Sequence, residues 1–358
     1  MVQEQLSKEE VRSRWAEASG VRERDFAGNI GISEAEFVDA FTGFGNTRLR
    51  LDTSTFFERL RSVGEVMALS RNDAAVHEKT GVYEAFRSNP HASMVLGQDI
   101  DLRIFPEHWK SAFHVVKDLG NAGVQRSFQF FDEHGIAVHK VFERDATDND
   151  AWNALLSSTS ADDVDQDLHI VPEQTPKTHR PLLIDEREAL RESWSRLEDT
   201  HQFQGMLRRH KVGRFEAIRD IGRDYARRLC DDALELVFTG ASNEELPLMV
   251  FVRNRGILQI HSGTVSNIKR MGHWINVLDD GFHLHVRGDM IHSAWAVRKP
   301  TKGGIIWSLE AFDRHGRQII LINGYRREGD EHGSLKAWNK LLSLLPDYQH
   351  NTQTKEVA

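Results

Sequence analysis

The pentapeptide FDEHG at residues 131–135 recurs as FDRHG at residues 312–316, and the repetition around it decides the fold of this chain. Four further pairs occur in the same order: SRN (70–72) with VRN (252–254), TGV (80–82) with SGT (262–264), LRI (102–104) with LHV (284–286), and SAF (111–113) with SAW (293–295). The second member of each of these pairs follows the first at one constant interval, from which the pentapeptides deviate by a single residue. An ordered series at a long, steady interval predicts a duplicated domain and excludes a short-period solenoid.

Each half begins with helical sequence and continues into short alternating segments. Helical spacing covers residues 8–40 and 185–236, and strand-like segments include 124–130 and 305–311. The two pentapeptides separate such segments and carry the Asp and Gly typical of hairpin turns. Short helical patterns around Trp152 and Trp338 close the halves. We therefore predict an α+β fold built by tandem duplication, in which each half has N-terminal helices, a large antiparallel β-sheet and a closing helix.

The segment between the halves has the composition of a linker. It is polar and acidic, and it contains Pro172, Pro176 and Pro181. The predicted division is a first repeat at 1–165, a linker at 166–182 and a second repeat at 183–358. A chain of 358 residues has room for two such domains, each with its own core.

The composition narrows the classes of function. The formal net charge of −8 disfavours nucleic acid or an anionic membrane as a general partner. Cys230 is the only cysteine, so an internal disulfide is impossible and a reducing compartment is expected. The N-terminal sequence MVQEQLSKEEVRSRW lacks the apolar core of a signal peptide, and no apolar run approaches the roughly 18 residues of a membrane span. These features predict a cytoplasmic protein that is not embedded in a membrane.

The segment EDTHQFQGML (198–207) has the pattern of a helix beginning near a polar cap. Asp199 or Thr200 is suited to the N-cap position, where a side-chain oxygen accepts from a free backbone N–H group. Three apolar residues then recur at helical spacing and are predicted to face the core: Phe203, Met206 and Leu207.

His201 lies in the first turn of this predicted helix, and Gly205 follows one turn later on the same face. A glycine within a helix costs about 1 kcal/mol relative to alanine, so its presence suggests that space beside the imidazole is needed. We hypothesise that a flat ligand occupies this space and that His201 is the axial ligand of a haem iron. Several cations follow closely and supply local positive charge for an anionic ligand: Arg208, Arg209, Lys211 and Arg214. Taken alone, one histidine among 18 is more often a surface or core residue than a ligand.

The two halves differ at the positions that would form such a site. A loose alignment of the helical segments places His201 opposite Val21, and the alignment of the sheets places Arg103 opposite His285. A site that uses unlike residues from two similar halves is therefore expected.

Several motifs together resemble the HemS/ChuS/PhuS-type cytoplasmic haem-handling proteins of bacterial haem-uptake systems. The resemblance covers nearly the whole chain, including the duplication, and it is carried by RN (71–72), GVYE (81–84), DLR (101–103), HW (108–109), THQF (200–203) and VRKPT (297–301). It implies that the cofactor is haem b, iron protoporphyrin IX, with His201 on the iron and Arg103 approaching the distal face.

The resemblance also implies contacts for the haem propionates, from Arg214 and Lys299 and from the arginine of GYR (324–326), which is Arg326. The last strand departs from the family pattern. Where relatives usually have a glutamine and then an aromatic residue, this chain has Leu321 and Asn323. The contacts of that strand with the porphyrin edge are therefore expected to differ.

Two functions are compatible with this resemblance. In the first, the protein sequesters imported haem between its two repeats and passes it intact to a separate haem oxygenase for iron acquisition, after receiving it from an inner-membrane haem importer. In the second, it is itself a haem-degrading enzyme that opens the porphyrin with an external reductant, and Arg103 is the catalytic distal residue. Recognisable flavin and nicotinamide motifs are lacking, which favours the carrier.

A remote alternative is a non-haem metal-dependent hydrolase. His283 and His285 lie on one face of a predicted strand, and His261 or His292 would complete a zinc site.

Overall fold

The computed structural model describes residues 6–89, 91–161, 168–173, 179–325 and 333–349. The chain forms two compact units. Unit 1 takes the described residues within 1–72, 76–175 and 253–260, and unit 2 takes those within 73–75, 176–252 and 261–358. No helix in the described part of the chain has the length and apolarity that a membrane span requires.

The first repeat contributes five helices and nine strands among its described residues. The helices are α1 (Lys8–Glu17), α2 (Glu23–Asn29), α3 (Glu34–Ala40), α4 (Thr53–Leu60) and α5 (Asn149–Thr159). The strands are β1 (Thr47–Arg48), β2 (Gly64–Arg71), β3 (Ala75–Gly81), β4 (Ala85–Arg87), β5 (Ser93–Leu96), β6 (Asp101–Ile104), β7 (Ser111–Asp118), β8 (Val124–Phe131) and β9 (Ala137–Thr147).

The second repeat contributes the same elements in the same order, again counted over its described residues. The helices are α6 (Ile184–Ser195), α7 (Gln202–Arg209), α8 (Arg214–Asp220), α9 (Ala233–Asn243) and α10 (Gly333–Leu344). The strands are β10 (Ala226–Leu229), β11 (Leu248–Arg253), β12 (Ile257–Gly263), β13 (Ile268–Met271), β14 (Trp274–Asp279), β15 (Phe282–Arg287), β16 (Ser293–Thr301), β17 (Gly304–Phe312) and β18 (Gln318–Gly324).

Within unit 1, six strands form antiparallel neighbours in the order β1-β7-β8-β9-β2-β3. Strands β4, β5 and β6 form a second antiparallel group, which the first four residues of β12 extend. In that extension Ile257 pairs with Ile104 and Ile260 pairs with Asp101. This pairing explains why residues 253–260, although they belong to the second half of the sequence, fold with unit 1.

Within unit 2, the strands are ordered β10-β16-β17-β18-β11, with antiparallel neighbours throughout. Strands β13, β14 and β15 form a separate antiparallel meander. The predicted α+β class and its antiparallel pairing are confirmed.

The closing helices seal the cores because each buries a tryptophan. In unit 1, Trp152 of α5 is fully buried, with its ring centroid 4.3 Å from that of Phe128. In unit 2, Trp338 of α10 is fully buried and donates its indole N–H to the carbonyl of Trp307 at 2.8 Å. Aromatic side chains of this size contribute much of the apolar area that a core removes from water.

The repeated pentapeptides form the turns β8–β9 and β17–β18, as predicted. Asp132 Oδ1 accepts from the backbone N–H groups of His134 and Ile136 at 2.9 and 3.0 Å. In unit 2, Asp313 Oδ1 accepts from His315 and Arg317, both at 2.8 Å. The terminal glycines have φ values of 68° and 67°, a left-handed conformation that favours glycine. The turn chemistry therefore explains why this motif appears in both halves.

The predicted helical stretch at 185–236 is interrupted in the structure. The four-residue strand β10 lies between α8 and α9 and pairs with β16, so that Ala226 lies opposite Val297. The equivalent strand β1 precedes α4 in the first repeat. Pairing with a strand about 70 residues away along the chain outweighs the local helical pattern here.

Candidate functional site

Helix α7 carries the predicted histidine at its start. The N-cap is His201 itself, and Asp199 and Thr200 precede the helix, so the predicted N-cap position was wrong by one or two residues. Both still take part in the entry turn, where their carbonyls accept from the N–H groups of Gln202 and Phe203 at 3.1 Å. The predicted core face is confirmed, since Phe203, Met206 and Leu207 are buried.

The packing of Phe203 holds the start of the helix in place. Its ring meets Trp194 of α6 edge to face, with the centroids 4.6 Å apart. Both side chains belong to one buried cluster of unit 2. The opposite face of α7 is therefore directed away from the core.

The imidazole of His201 lies on that opposite face, and its side chain is 94% exposed. Its Nδ1 is 2.6 Å from Asp199 Oδ1, and the same oxygen accepts from the backbone N–H of His201 at 2.7 Å. A carboxylate can only accept here, so Nδ1 carries the proton. In the neutral ring, Nε2 is then the nitrogen with the lone pair, and no described residue is hydrogen-bonded to it. The backbone and ring hydrogen bonds from His201 lower the pKa of Asp199.

Gly205 has no packing reason to be a glycine. A Cβ atom built at this position would meet only the Nη1 atom of Arg209, at an ordinary contact distance of 3.7 Å. The residue is in the middle of α7 and has no positive φ. Packing within unit 2 therefore does not explain why this position is a glycine.

A buried ionic cluster lies under the start of α7. Arg214, the first residue of α8, donates two hydrogen bonds to Glu310 through Nε and Nη2, at 2.6 and 2.8 Å. Lys299 Nζ contacts Glu310 Oε1 at 2.7 Å and Ser308 Oγ at 2.9 Å. Gln318 donates to the other carboxylate oxygen at 2.9 Å. Two cations therefore surround one fully buried carboxylate.

The electrostatics of this cluster follow from its burial. Burial raises the pKa of Glu310, but Arg214 and Lys299 outweigh it and hold that pKa far below its ordinary value. Burial also lowers the pKa of Lys299 to about 8, although the neighbouring carboxylate limits the decrease. Phe203 connects the cluster to α7, because Arg214 and Lys299 each lie 4.9 Å from its ring centroid. The cluster has one more cation than carboxylates, and it lies against the buried face of α7.

Arg214 and Lys299, which the resemblance assigns to the haem propionates, are both bound to Glu310. Arg214 retains some exposure, and its Nη1 has no hydrogen bond to any described residue. Glu310 was missed in the sequence, where the only signal is an acidic residue within the apolar segment 305–311. Arg208 and Arg209 are exposed on α7.

Arg103 belongs to unit 1 and lies on β6. It pairs with Asp101 and also donates to the carbonyl of Leu102 at 3.0 Å. The side chain of Arg103 is partly exposed. Arg326 lies in the segment 326–332, which is outside the described residues.

The histidines of the hydrolase alternative lie in unit 2. The rings of His283 and His285 are 6.2 Å apart on β15, and His285 Nδ1 is hydrogen-bonded to Asn276 at 2.7 Å. His261 is buried and stacks face to face on Phe282, with centroids 3.7 Å apart. This stacking is the arrangement of a packed core ring.

Comparison with known proteins gives a consistent result over both repeats. The family described as "Haemin-degrading HemS.ChuX domain" matches residues 31–159 and, separately, residues 211–345. Hemin transport protein HemS of Yersinia enterocolitica is 38% identical over 315 residues, which cover 88% of this chain and 90% of that protein. Hemin transport protein HmuS of Yersinia pestis is 38% identical over 331 residues, covering 92% of this chain and 94% of that protein.

Two solved structures have the same fold. The heme degrading enzyme ChuS of Escherichia coli has a TM-score of 0.87 and 32% identity, covering 95% of this chain and 100% of that one. Holo-PhuS, a heme-binding protein from Pseudomonas aeruginosa, has a TM-score of 0.86 and 36% identity, covering 96% of this chain and 100% of that one. ChuS is also described as a heme oxygenase. The predicted resemblance is confirmed.

Proposed function

The chain belongs to the haemin-degrading HemS/ChuX family, and on that premise we propose that it binds haem through the imidazole of His201. The observation that carries the proposal is the exposed Nε2 of His201, whose Nδ1 is already engaged by Asp199. A neutral imidazole with one free nitrogen is the common axial ligand of haem iron. Gly205 provides the fit, because it has no side chain of its own and its nearest neighbour on this face is the flexible end of Arg209.

The propionates of haem require cations, and the cluster around Glu310 supplies them. Its two cations exceed its one carboxylate, so a further carboxylate from the ligand balances the charge. Arg214 is the direct contact in this proposal, since its Nη1 is not used within the described residues. Lys299 is almost fully buried and acts from behind as a fixed positive charge. Arg326 is kept as a third proposed propionate contact.

We favour a carrier that hands intact haem to a separate haem oxygenase. A ligand imidazole that is 94% exposed is accessible to a second protein during transfer. The upstream partner in this proposal is an inner-membrane haem importer, and the site of action is the cytoplasm. The similar proteins HemS and HmuS are named hemin transport proteins, which supports a carrier.

Haem degradation is the second candidate, because the similar protein ChuS is described as a heme oxygenase. Bound haem would supply the iron at which oxygen is activated. The chain would provide the pocket, and an external donor would provide the electrons. Arg103 is then the proposed distal residue, and it would have to exchange its contact with Asp101 for one with the substrate.

The first experiment titrates hemin into the wild-type protein and into His201→Ala, followed by visible absorption. We expect a sharp Soret band that saturates at one equivalent in the wild type, and a shifted band with weaker binding in the variant. His273→Ala is the matched control, because this exposed histidine lies on the β13–β14 turn. An unchanged spectrum and affinity for His201→Ala would show that another residue is the ligand.

The second experiment decides between carrier and enzyme. The haem complex is given ascorbate, or a reductase with its nicotinamide donor, in parallel reactions with and without catalase. A carrier keeps its Soret band, whereas an enzyme gives a biliverdin-like product and loses activity in Arg103→Ala. Bleaching that catalase abolishes is uncoupled peroxide damage and supports the carrier.

A further inference from the structure

Asp199 is hydrogen-bonded to His201, the proposed iron ligand, in a specific geometry. One oxygen, Oδ1, accepts both from the backbone N–H of His201 at 2.7 Å and from the ring Nδ1 at 2.6 Å. The backbone hydrogen bond fixes the carboxylate relative to the start of α7, and the ring hydrogen bond fixes the imidazole relative to the carboxylate. From this arrangement we propose that Asp199 is a positioning residue that presents Nε2 of His201 to the haem iron.

The inference rests on the proposed function and extends it by one residue. An imidazole that donates Nδ1–H to a carboxylate is held in the tautomer that leaves Nε2 free for a metal. The carboxylate also increases the electron density on the ring, which strengthens the bond from Nε2 to iron and stabilises the ferric state. Such partners typically change metal affinity by 10- to 100-fold when they are removed.

Stability alone does not account for this arrangement. The side chain of Asp199 is 58% exposed and that of His201 is 94% exposed, so water screens their interaction in the free protein. A flat ligand on this face excludes water and makes the same hydrogen bond stronger. The contact therefore gains its full effect only in the complex.

The first repeat supports the pairing of these two residues. When the ends of α2 and α7 are aligned, Ser19 lies opposite Asp199 and Val21 lies opposite His201. The carboxylate and the imidazole are thus absent together from the equivalent entry turn of unit 1. Serine can satisfy a helix start as aspartate does, so the feature specific to unit 2 is the negative charge beside an imidazole.

The test compares Asp199→Asn with the matched variant Glu198→Gln. The side-chain oxygen of asparagine can accept the same hydrogen bond from the backbone N–H of His201, but asparagine removes the negative charge from the ring partner. Glu198 is the neighbouring carboxylate; it pairs with Lys302 at 2.9 Å, so its substitution removes the same surface charge at a neighbouring position without changing the Asp199–His201 hydrogen bond. Each protein is examined for hemin affinity, ferric–ferrous midpoint potential and the iron–histidine stretching frequency in resonance Raman spectra.

We expect Asp199→Asn to lower the iron–histidine frequency, raise the midpoint potential and weaken hemin binding by about 10-fold, with Asp199→Ala nearer 100-fold. Thermal unfolding of the ligand-free Asn variant should match the wild type, and Glu198→Gln should match it in every measurement. If Asp199→Asn leaves the frequency, potential and affinity unchanged while His201→Ala loses binding, Asp199 is a helix-entry residue only and the inference is wrong. If His201→Ala binds hemin as the wild type does, the proposed ligand is wrong and the inference fails with it.

Discussion

The two repeats place a buried ionic cluster at the same helix but with the charges exchanged. In unit 1, the first residue of α3 is Glu34, which pairs with Lys140 at 2.6 Å and with Arg71. In unit 2, the first residue of α8 is Arg214, and the carboxylate is on strand β17 as Glu310. Each cluster has two cations and one carboxylate. The acid and the base have therefore changed places between helix and sheet.

The exchange has different consequences for the helices. A helix N-terminus favours a negative side chain, so Glu34 suits α3 whereas Arg214 opposes the dipole of α8. Burial raises the pKa of Glu34, but Lys140 and Arg71 outweigh it and bring the pKa to about 2. The less favourable arrangement, an arginine at a helix N-terminus, occurs in unit 2 at α8, the helix after the one that His201 begins. A departure from a local rule at one of two equivalent positions indicates a functional demand.

The strongest test of this comparison removes the carboxylate of unit 2. Glu310→Gln leaves Arg214 and the buried Lys299 without a counter-charge, and we expect the free energy of unfolding to fall by about 3–5 kcal/mol. Urea unfolding measures the loss. The double variant Lys299→Met with Glu310→Gln removes the most buried cation as well and should recover much of the stability. A single variant as stable as the wild type would mean that the cluster does not hold α8 in place.

Glu34→Gln is the matched change in unit 1 and should be similarly destabilising. Only the unit 2 variant is expected to change hemin binding as well, because it releases the guanidinium of Arg214, the proposed propionate contact, from Glu310. Both variants are measured without denaturant, at a temperature where each is folded. Equal changes in hemin affinity for the two variants would contradict the proposal that the cluster around Glu310 binds the propionates.

A smaller effect is expected at Gly205. Gly205→Ala should stabilise the ligand-free protein by about 1 kcal/mol, because the added Cβ meets only Arg209 Nη1 at 3.7 Å. Gly205→Leu should fold equally well and weaken hemin binding, since its side chain fills the space beside His201. Thermal unfolding and hemin titration measure the two effects. Gly28→Ala in α2 is the control, because its added Cβ meets nothing within 4 Å and lies in unit 1.

If Gly205→Leu binds hemin as tightly as the wild type, the porphyrin does not lie along α7. In that case the glycine would have no explanation in either packing or binding.

The smallest expected effect is a pH dependence of stability. It comes from the histidine that contacts the segment at or next to the pentapeptide turn in each unit. In unit 2, His179 contacts Glu216 through Nδ1 at 2.6 Å and the carbonyl of His315 through Nε2. Both partners are acceptors, so the ring is an imidazolium. In unit 1, His134 Nδ1 is hydrogen-bonded to the carbonyl of Val171, while Nε2 accepts from Arg255.

Burial lowers the pKa of His179, but the hydrogen bonds to Glu216 and to the carbonyl of His315 outweigh it, and the folded-state pKa is raised. Arg219 opposes the increase. The stability from protonated His179 is therefore fully present below the unfolded pKa and is lost as the pH rises through the folded pKa. We expect the stability difference between wild type and His179→Asn to shrink over this window. A difference that stays constant with pH would show that the ring is neutral.

The features that the sequence predicted correctly depend on short-range patterns or on repetition. The turns at Asp132 and Asp313 follow from an Asp and a Gly at fixed spacing, because their hydrogen bonds close within the same few residues. The buried face of α7 follows from helical periodicity. The duplication is visible without any structure, since matching motifs recur at a constant interval.

The residues that were missed depend on distant partners. The carboxylate of Glu310 meets Arg214, which is almost a hundred positions earlier in the chain, and no local pattern encodes that distance. The linker predicted at 166–182 lies partly outside the described residues, although Val171 and Leu182 within it make hydrogen bonds to units 1 and 2 respectively. The predicted boundaries also do not anticipate that residues 253–260 fold with unit 1.

The sequence by itself determined the duplication, the α+β class and the hairpin turns, because each depends on spacings of a few residues or on repetition. The pairing of His201 with Gly205 as a haem site stays a prediction, which rests on helical spacing and on the family resemblance. Only the tertiary structure decided that Asp199 contacts the imidazole of His201, that Glu310 pairs with Arg214 and Lys299, and that β12 pairs with β6. These contacts depend on side-chain rotamers and strand register, which are fixed when distant segments pack together.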